Sequence, residues 1–130
     1  YSSSGMDDYP AQVLMMDENV RDKAAPALSS AQLIRCAKIL KMVALALGKL
    51  EDSAEYDKDI KRVGDALNKY SWDEESGYYS YVLHDENYEP TEIFRTKVGE
   101  NVNKGLDGIY PLIAGVCDEN QKKKIIVKIE

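Results

Sequence analysis

The sequence predicts a mainly α-helical domain in which enclosed inner helices alternate with half-exposed outer ones, interrupted by a small β-hairpin. Three observations predict it. Between Leu33 and Leu47 the chain is apolar apart from a narrow strip at Arg35, Lys38 and Lys41, and a helix apolar on nearly every side has to be surrounded. Tyr56, Ile60, Val63, Leu67 and Tyr70 then recur at alternating intervals of four and three, with charged residues filling the other face. The run Tyr78–Leu83 supplies strand-forming residues between two turn signals.

Each element has its own signal. Ser29 and Gln32 form a capping box that starts the first long helix, which runs to about Leu47 and stops at Gly48. Asp52 or Ser53 caps the second, and the short loop makes the two antiparallel neighbours. Trp72–Gly77 reads as a turn, Tyr78–Leu83 as a strand, Asp85–Asn87 as a turn and Ile93–Thr96 as the return strand. Trp72 and the tyrosines suit a sugar-stacking platform, but aromatics at hairpin spacing more often staple the hairpin to its neighbours. Asn101–Gly108 is loop. Ile109–Cys117 reads as a short buried helix with Pro111 in its first turn, and Asp118 with Gln121 caps a last helix, Glu119–Lys128, whose Ile125, Ile126 and Ile129 face inward.

Composition bounds the function classes. With 130 residues, 44% of them hydrophobic, the chain is one domain at most, or part of one. A formal charge of −6, from 23 acids against 17 bases, disfavours nucleic acid as the partner. Lys122–Lys124 reads as the solvated face of the last helix. Lys38, Lys41 and Lys49 interrupt the best candidate for a membrane span, so no membrane partner is expected. Cys36 and Cys117, both with apolar neighbours, are expected to pack as small hydrophobes and imply no oxidising compartment. Opening at Tyr1 and stopping inside a helix at Glu130, the sequence reads as an excerpt, and localisation signals are not expected within it.

Chemistry here means carboxylates. Ser4-Gly5-Met6-Asp7-Asp8-Tyr9-Pro10 holds two adjacent acids on a glycine-led turn closed by a proline, a defined loop on which a carboxyl group can give or take a proton. Asp pairs on turns also serve simply as caps or solvated groups. His84, the sole histidine, has no partner for a zinc site or a Ser-His-Asp arrangement. Asp7, Asp8, Asp17 and Glu18 lack the intervals of a calcium loop, and no phosphate cradle is present, so no cofactor is expected. Asn101, Asn103 and Asp107 lie on a polar, glycine-rich loop before an inner helix, where they line a ligand pocket or satisfy loop carbonyls and caps.

Four segments together, Ser4–Pro10, Ile34–Lys38, Tyr70–Tyr78 and Gly105–Gly115, resemble the catalytic domain of glycoside hydrolase family sixty-three. That family includes processing α-glucosidases and mannosylglycerate hydrolases and is similar to trehalases. The resemblance implies an (α/α)6 barrel of two concentric helical rings, hydrolysis of α-linked glucosides or mannosides with inversion, and a carbohydrate substrate. It implies Asp7 as the general acid, with Asp8 and Tyr9 shaping the pocket; Asn103, from its place on the polar loop, is the candidate substrate contact. An inverting enzyme needs a second carboxylate roughly 6.5–9.5 Å from the first. The family's base is a glutamate well downstream, ahead of a Trp-rich segment, with no counterpart in residues 1–130. The chain supplies roughly a third of such a barrel and is expected to be inactive alone, with apolar helix faces left open to self-association. A helical assembly module that keeps only the architecture is the other reading, and a catalytically dead relative a third.

Overall fold

The computed structural model describes residues 9–129. Pro10, whose missing N–H costs nothing in a first turn, opens α1 (Pro10–Asp17), a helix the sequence reading did not anticipate. A 3-10 turn (Arg21–Lys23) leads into β1 (Ala24–Ala25). Next come α2 (Ala27–Ala46) and α3 (Leu50–Ala66), which fold back on each other about Gly48, at φ +69° the expected stop. Both begin earlier than their expected caps. Pro26, held extended, lets α2 start at Ala27, so Ser29 lies inside the helix; Asp52 and Ser53 fall within the first turn of α3, where Glu51 and Asp52 meet the positive end of its dipole.

The expected enclosure of α2 is not met. Its inward residues are mostly small, Ala27, Ala31, Ala37 and Ala44 beside Leu28 and Ile34, while Leu40, Met42, Val43 and Leu45 are 47–70% exposed. The polar strip is what meets the rest of the chain. Arg35 Nη1 donates to the Tyr110 hydroxyl at 2.8 Å, Lys38 Nζ to the Ala114 carbonyl at 2.5 Å, and Lys41 Nζ to Asp57 Oδ1 at 2.7 Å. Cys36 lies on the outer side and is exposed, so only Cys117 packs as a small hydrophobe.

After α3 a π-turn (Leu67–Ser71) feeds the hairpin β2 (Trp72–Asp73) and β3 (Tyr78–Tyr79), with Trp72 opposite Tyr79. The aromatic run is therefore not one strand. It divides at Ser80, whose N–H donates to the Ser71 carbonyl and whose hydroxyl donates to the Phe94 carbonyl, each at 2.8 Å. Beyond it, β4 (Val82–His84) lies between β1 and β5 (Pro90–Ile93), antiparallel to both, with Val82 opposite Ala25 and Ile93. The return strand starts at Pro90 rather than Ile93 because Asp85 Oδ1 accepts the N–H groups of Asn87 and Glu89 and closes the turn. Trp72 and Tyr79 meet edge-on with centroids 5.1 Å apart, and Tyr78, Tyr79 and Tyr81 are buried, so this cluster staples the hairpin to the core.

α4 (Leu106–Ile113) starts three residues before the expected Ile109, which puts Pro111 in its second turn. α5 (Glu119–Ile129) carries the expected box: the Gln121 N–H donates to Asp118 Oδ1 at 2.8 Å and the Asp118 N–H to Gln121 Oε1 at 2.9 Å. Ile125 is buried, but Ile126 and Ile129 are 48% and 56% exposed, because α5 lays a single edge on β3. The fold is thus mainly helical with small antiparallel sheets. Its apolar interior has one cluster between α2, α4, α5 and the Trp72 hairpin, and a second around Ala11, Met15, Tyr81 and Phe94.

Candidate functional site

The start of α4 is the crossroads of the molecule. Gly105, at φ +136°, lies under Tyr9, whose hydroxyl would be 3.0 Å from a Cβ built there. Gly108 has no space for a side chain: its Cβ would fall 2.3 Å from the Asn103 carbonyl oxygen and 2.7 Å from that of Tyr79. That close approach seats α4 directly on β3. From the other side come Arg35 and Lys38 of α2, bonded to Tyr110 and Ala114.

Asp107 sits at the centre of this junction and is fully buried. The Tyr81 hydroxyl donates to Asp107 Oδ2, and Gln12 Nε2 of α1 donates to the Tyr81 hydroxyl at 3.4 Å. Burial raises the Asp107 carboxyl to about 6, since the Tyr81 hydroxyl and the Leu28 N–H only partly offset the loss of water. Burial, then the Asp107 charge, pushes the Tyr9 phenol up to about 12. The Tyr9 hydroxyl, Asn103 Oδ1 and Asp107 Oδ1 are buried, with no well-formed hydrogen bond among the described residues.

A second network supports the loop from below. Asn103 Nδ2 donates to Ser80 Oγ at 3.0 Å, and the Asn103 N–H donates to Asn101 Oδ1 at 3.0 Å. Asn101 Nδ2 reaches Ser76 Oγ at 3.0 Å and Asp73 Oδ2 at 3.2 Å, and Arg95 Nη2 pairs with Asp73 Oδ1 at 2.6 Å. Burial alone would raise the Asp73 carboxyl; the Ser76 and Asn101 hydrogen bonds, with the Arg95 charge, outweigh it and hold the group below its ordinary range.

Chemically, the junction is a hydrogen-bonded polar scaffold that Tyr9 packs against. Asp7 and Asp8 lie outside the described residues. Tyr9 is partly exposed with its hydroxyl turned inward. Asn103 is fully buried, its amide nitrogen donating to Ser80 and Asn101 as in the loop-satisfying reading of its position, while its Oδ1 has no partner among the described residues. Tyr81, Gln12, Asp73 and Arg95 were not singled out from sequence. Their partners are 22 to 69 residues away, and no local spacing marks them. His84 lies elsewhere, on a cleft of about 340 Å³ with Arg62 and Tyr70.

Among the described residues no three His, Cys, Asp or Glu side chains are grouped to hold a metal ion, and no helix is long and apolar enough to cross a membrane. No protein-family model matches the chain, and no curated protein matches it.

Proposed function

We propose that the chain is part of the catalytic domain of an inverting α-glycosidase built on an (α/α)6 barrel, with Asp7 as the general acid. One observation supports the reading: described residues of three of the segments that carry the family resemblance, far apart in sequence, meet the fourth, residues 105–115. Tyr9 of the first packs on Gly105, Arg35 and Lys38 of the second bond Tyr110 and Ala114, and Tyr78 of the third packs on Gly108. Residues that share one structural hub are constrained together, as the parts of one site are.

On this reading Asp107 is a positioning residue. It is sealed from water and cannot itself activate one, but through Tyr81 and Gln12 it ties down α1, whose first residue directly follows Tyr9 in sequence. Asp8 and Tyr9 line the sugar pocket, and Asn103 supports it from beneath. The general base comes from a segment beyond residue 130. Proton NMR of the polypeptide encoded by the whole gene, acting on an α-linked disaccharide, tests the reaction class. The β-anomer appears first if inversion holds, and an initial α-anomer or no hydrolysis refutes it. A non-catalytic assembly module is favoured by one feature, the uncovered apolar side of α2.

A further inference from the structure

We propose that the cleft between the start of α2, the end of α3 and the three-stranded sheet binds a small carboxylic acid with an apolar body. The proposal is independent of the glycosidase reading, and residues 25–90 form the cleft by themselves. Its walls are apolar: Ala25, Pro26, Val63, Leu67, Val82 and Pro90. Four side chains on them keep hydrogen-bonding capacity. Arg62 gives one Nη2 bond to Asp59, at 3.0 Å and in solvent, and has the rest of its five donors left. The Tyr70 hydroxyl accepts from Lys69 Nζ at 2.6 Å and still has its own proton to donate. The Ser30 hydroxyl and the His84 imidazole have no hydrogen-bond partner among the described residues. The π-turn that carries Tyr70 and Ser71 into the lining is a form frequent at functional sites.

Charge and size select the ligand. No carboxylate lines the cleft, although acids outnumber bases by 23 to 17 in the chain. Asp85, next to His84, is turned into its own loop, where Oδ1 accepts the Asn87 and Glu89 N–H groups. Lys69, 4.4 Å from the centre of the Tyr70 ring, adds a second cation beside Arg62. Three other hollows on the surface hold Glu74, Asp52 and Asp65, so an anion is drawn to this cleft rather than to those. A single guanidinium in the lining matches one carboxylate, which it can hold with two parallel bonds. The volume of about 340 Å³ takes an acid of on the order of ten non-hydrogen atoms, whose body covers walls that a bare phosphate would leave empty.

Ligand-observed proton NMR with the polypeptide encoded by the whole gene tests this. The probe is 3-phenylpropionate, titrated to ~10 mM, with 3-phenylpropanamide as its uncharged counterpart and inorganic phosphate as the bare anion. The acid is expected to bind with a Kd of ~1 mM or below, and the amide at least ~10-fold more weakly. Arg62→Gln is expected to weaken the acid at least ~10-fold. Ala66→Phe sets a ring into the cleft from an exposed position on α3 and is expected to abolish binding. Lys58→Gln, which removes a cation from the same helix away from the cleft, is expected to leave binding unchanged. Far-UV circular dichroism checks that each variant keeps its helices. No binding of the acid by the wild type, equal binding of acid and amide, or equal losses in R62Q and K58Q overturns the proposal. So does displacement of the acid by an equal concentration of phosphate, or by glucose, which would put the acid in a sugar pocket instead.

Discussion

Tyr81 and Asp107, 26 residues apart, share a fully buried hydrogen bond in which the phenol donates to the carboxylate, and Gln12 in turn donates to the phenol. Three elements therefore meet at one oxygen atom: α1, the segment between β3 and β4, and α4.

Because burial lifts the Asp107 carboxyl from 3.8 to about 6, the folded chain holds a proton between those values that the unfolded chain has released. Stability from this group therefore falls as pH rises from about 4 to about 6, by on the order of 3 kcal/mol. Asp107→Asn is expected to remove that fall, which urea unfolding at a series of pH values measures as the difference between wild type and variant. Tyr81→Phe is expected to cost about 2 kcal/mol at pH 7, since it strips a donor from a buried carboxylate, and less at pH 4, where the protonated acid needs it less. Identical pH profiles for wild type and D107N contradict this account of the junction.

Arg95 and Asp73 behave in the opposite sense. The folded carboxyl of Asp73 is held below 3.8, so its stabilisation is complete above that value and is lost as pH falls through the folded one. Arg95→Met leaves the buried Asp73 without its cation and is expected to destabilise by about 3 kcal/mol at pH 7. The penalty should shrink towards pH 2. Thermal unfolding of the variant at both extremes decides it.

Two glycines give a steric contrast. Gly108→Ala drives a Cβ into two backbone carbonyls and is expected to cost at least about 3 kcal/mol by prising α4 off β3. Gly64, inside α3, meets only Val116 at 3.9 Å, and Gly64→Ala is expected to stabilise by about 0.5–1 kcal/mol through helix propensity. Denaturant midpoints of the two variants should move in opposite directions.

The elements legible in the sequence are those whose signal is local. α3 shows its half-exposed character in the spacing of Ile60, Val63 and Leu67, and the Asp118–Gln121 box is found bonded as read. Residues 33–47 announced a helix but not which side faces in, because a helix apolar all round has no direction; the alanines chose the core and the leucines were left outside. Tyr78–Leu83 announced strand but not partners, since β-propensity does not encode pairing, and Ser80 divides the run between two sheets. Of the candidate site, Asp107 and Asn103 were visible as polar residues on a glycine-rich loop. The bonds that give them roles run to Tyr81 and Ser80, and distance in sequence hid them.

The central claim rests on Asp7, and the most direct measurement compares wild type with Asp7→Asn in the full gene product, on an α-linked disaccharide and on the matching glycosyl fluoride, whose leaving group needs little protonation. Loss of a general acid predicts a fall of ~10²–10⁴ on the disaccharide with the fluoride rate largely kept. Equal rates for both enzymes on both substrates contradict it and leave the Asp pair a structural turn.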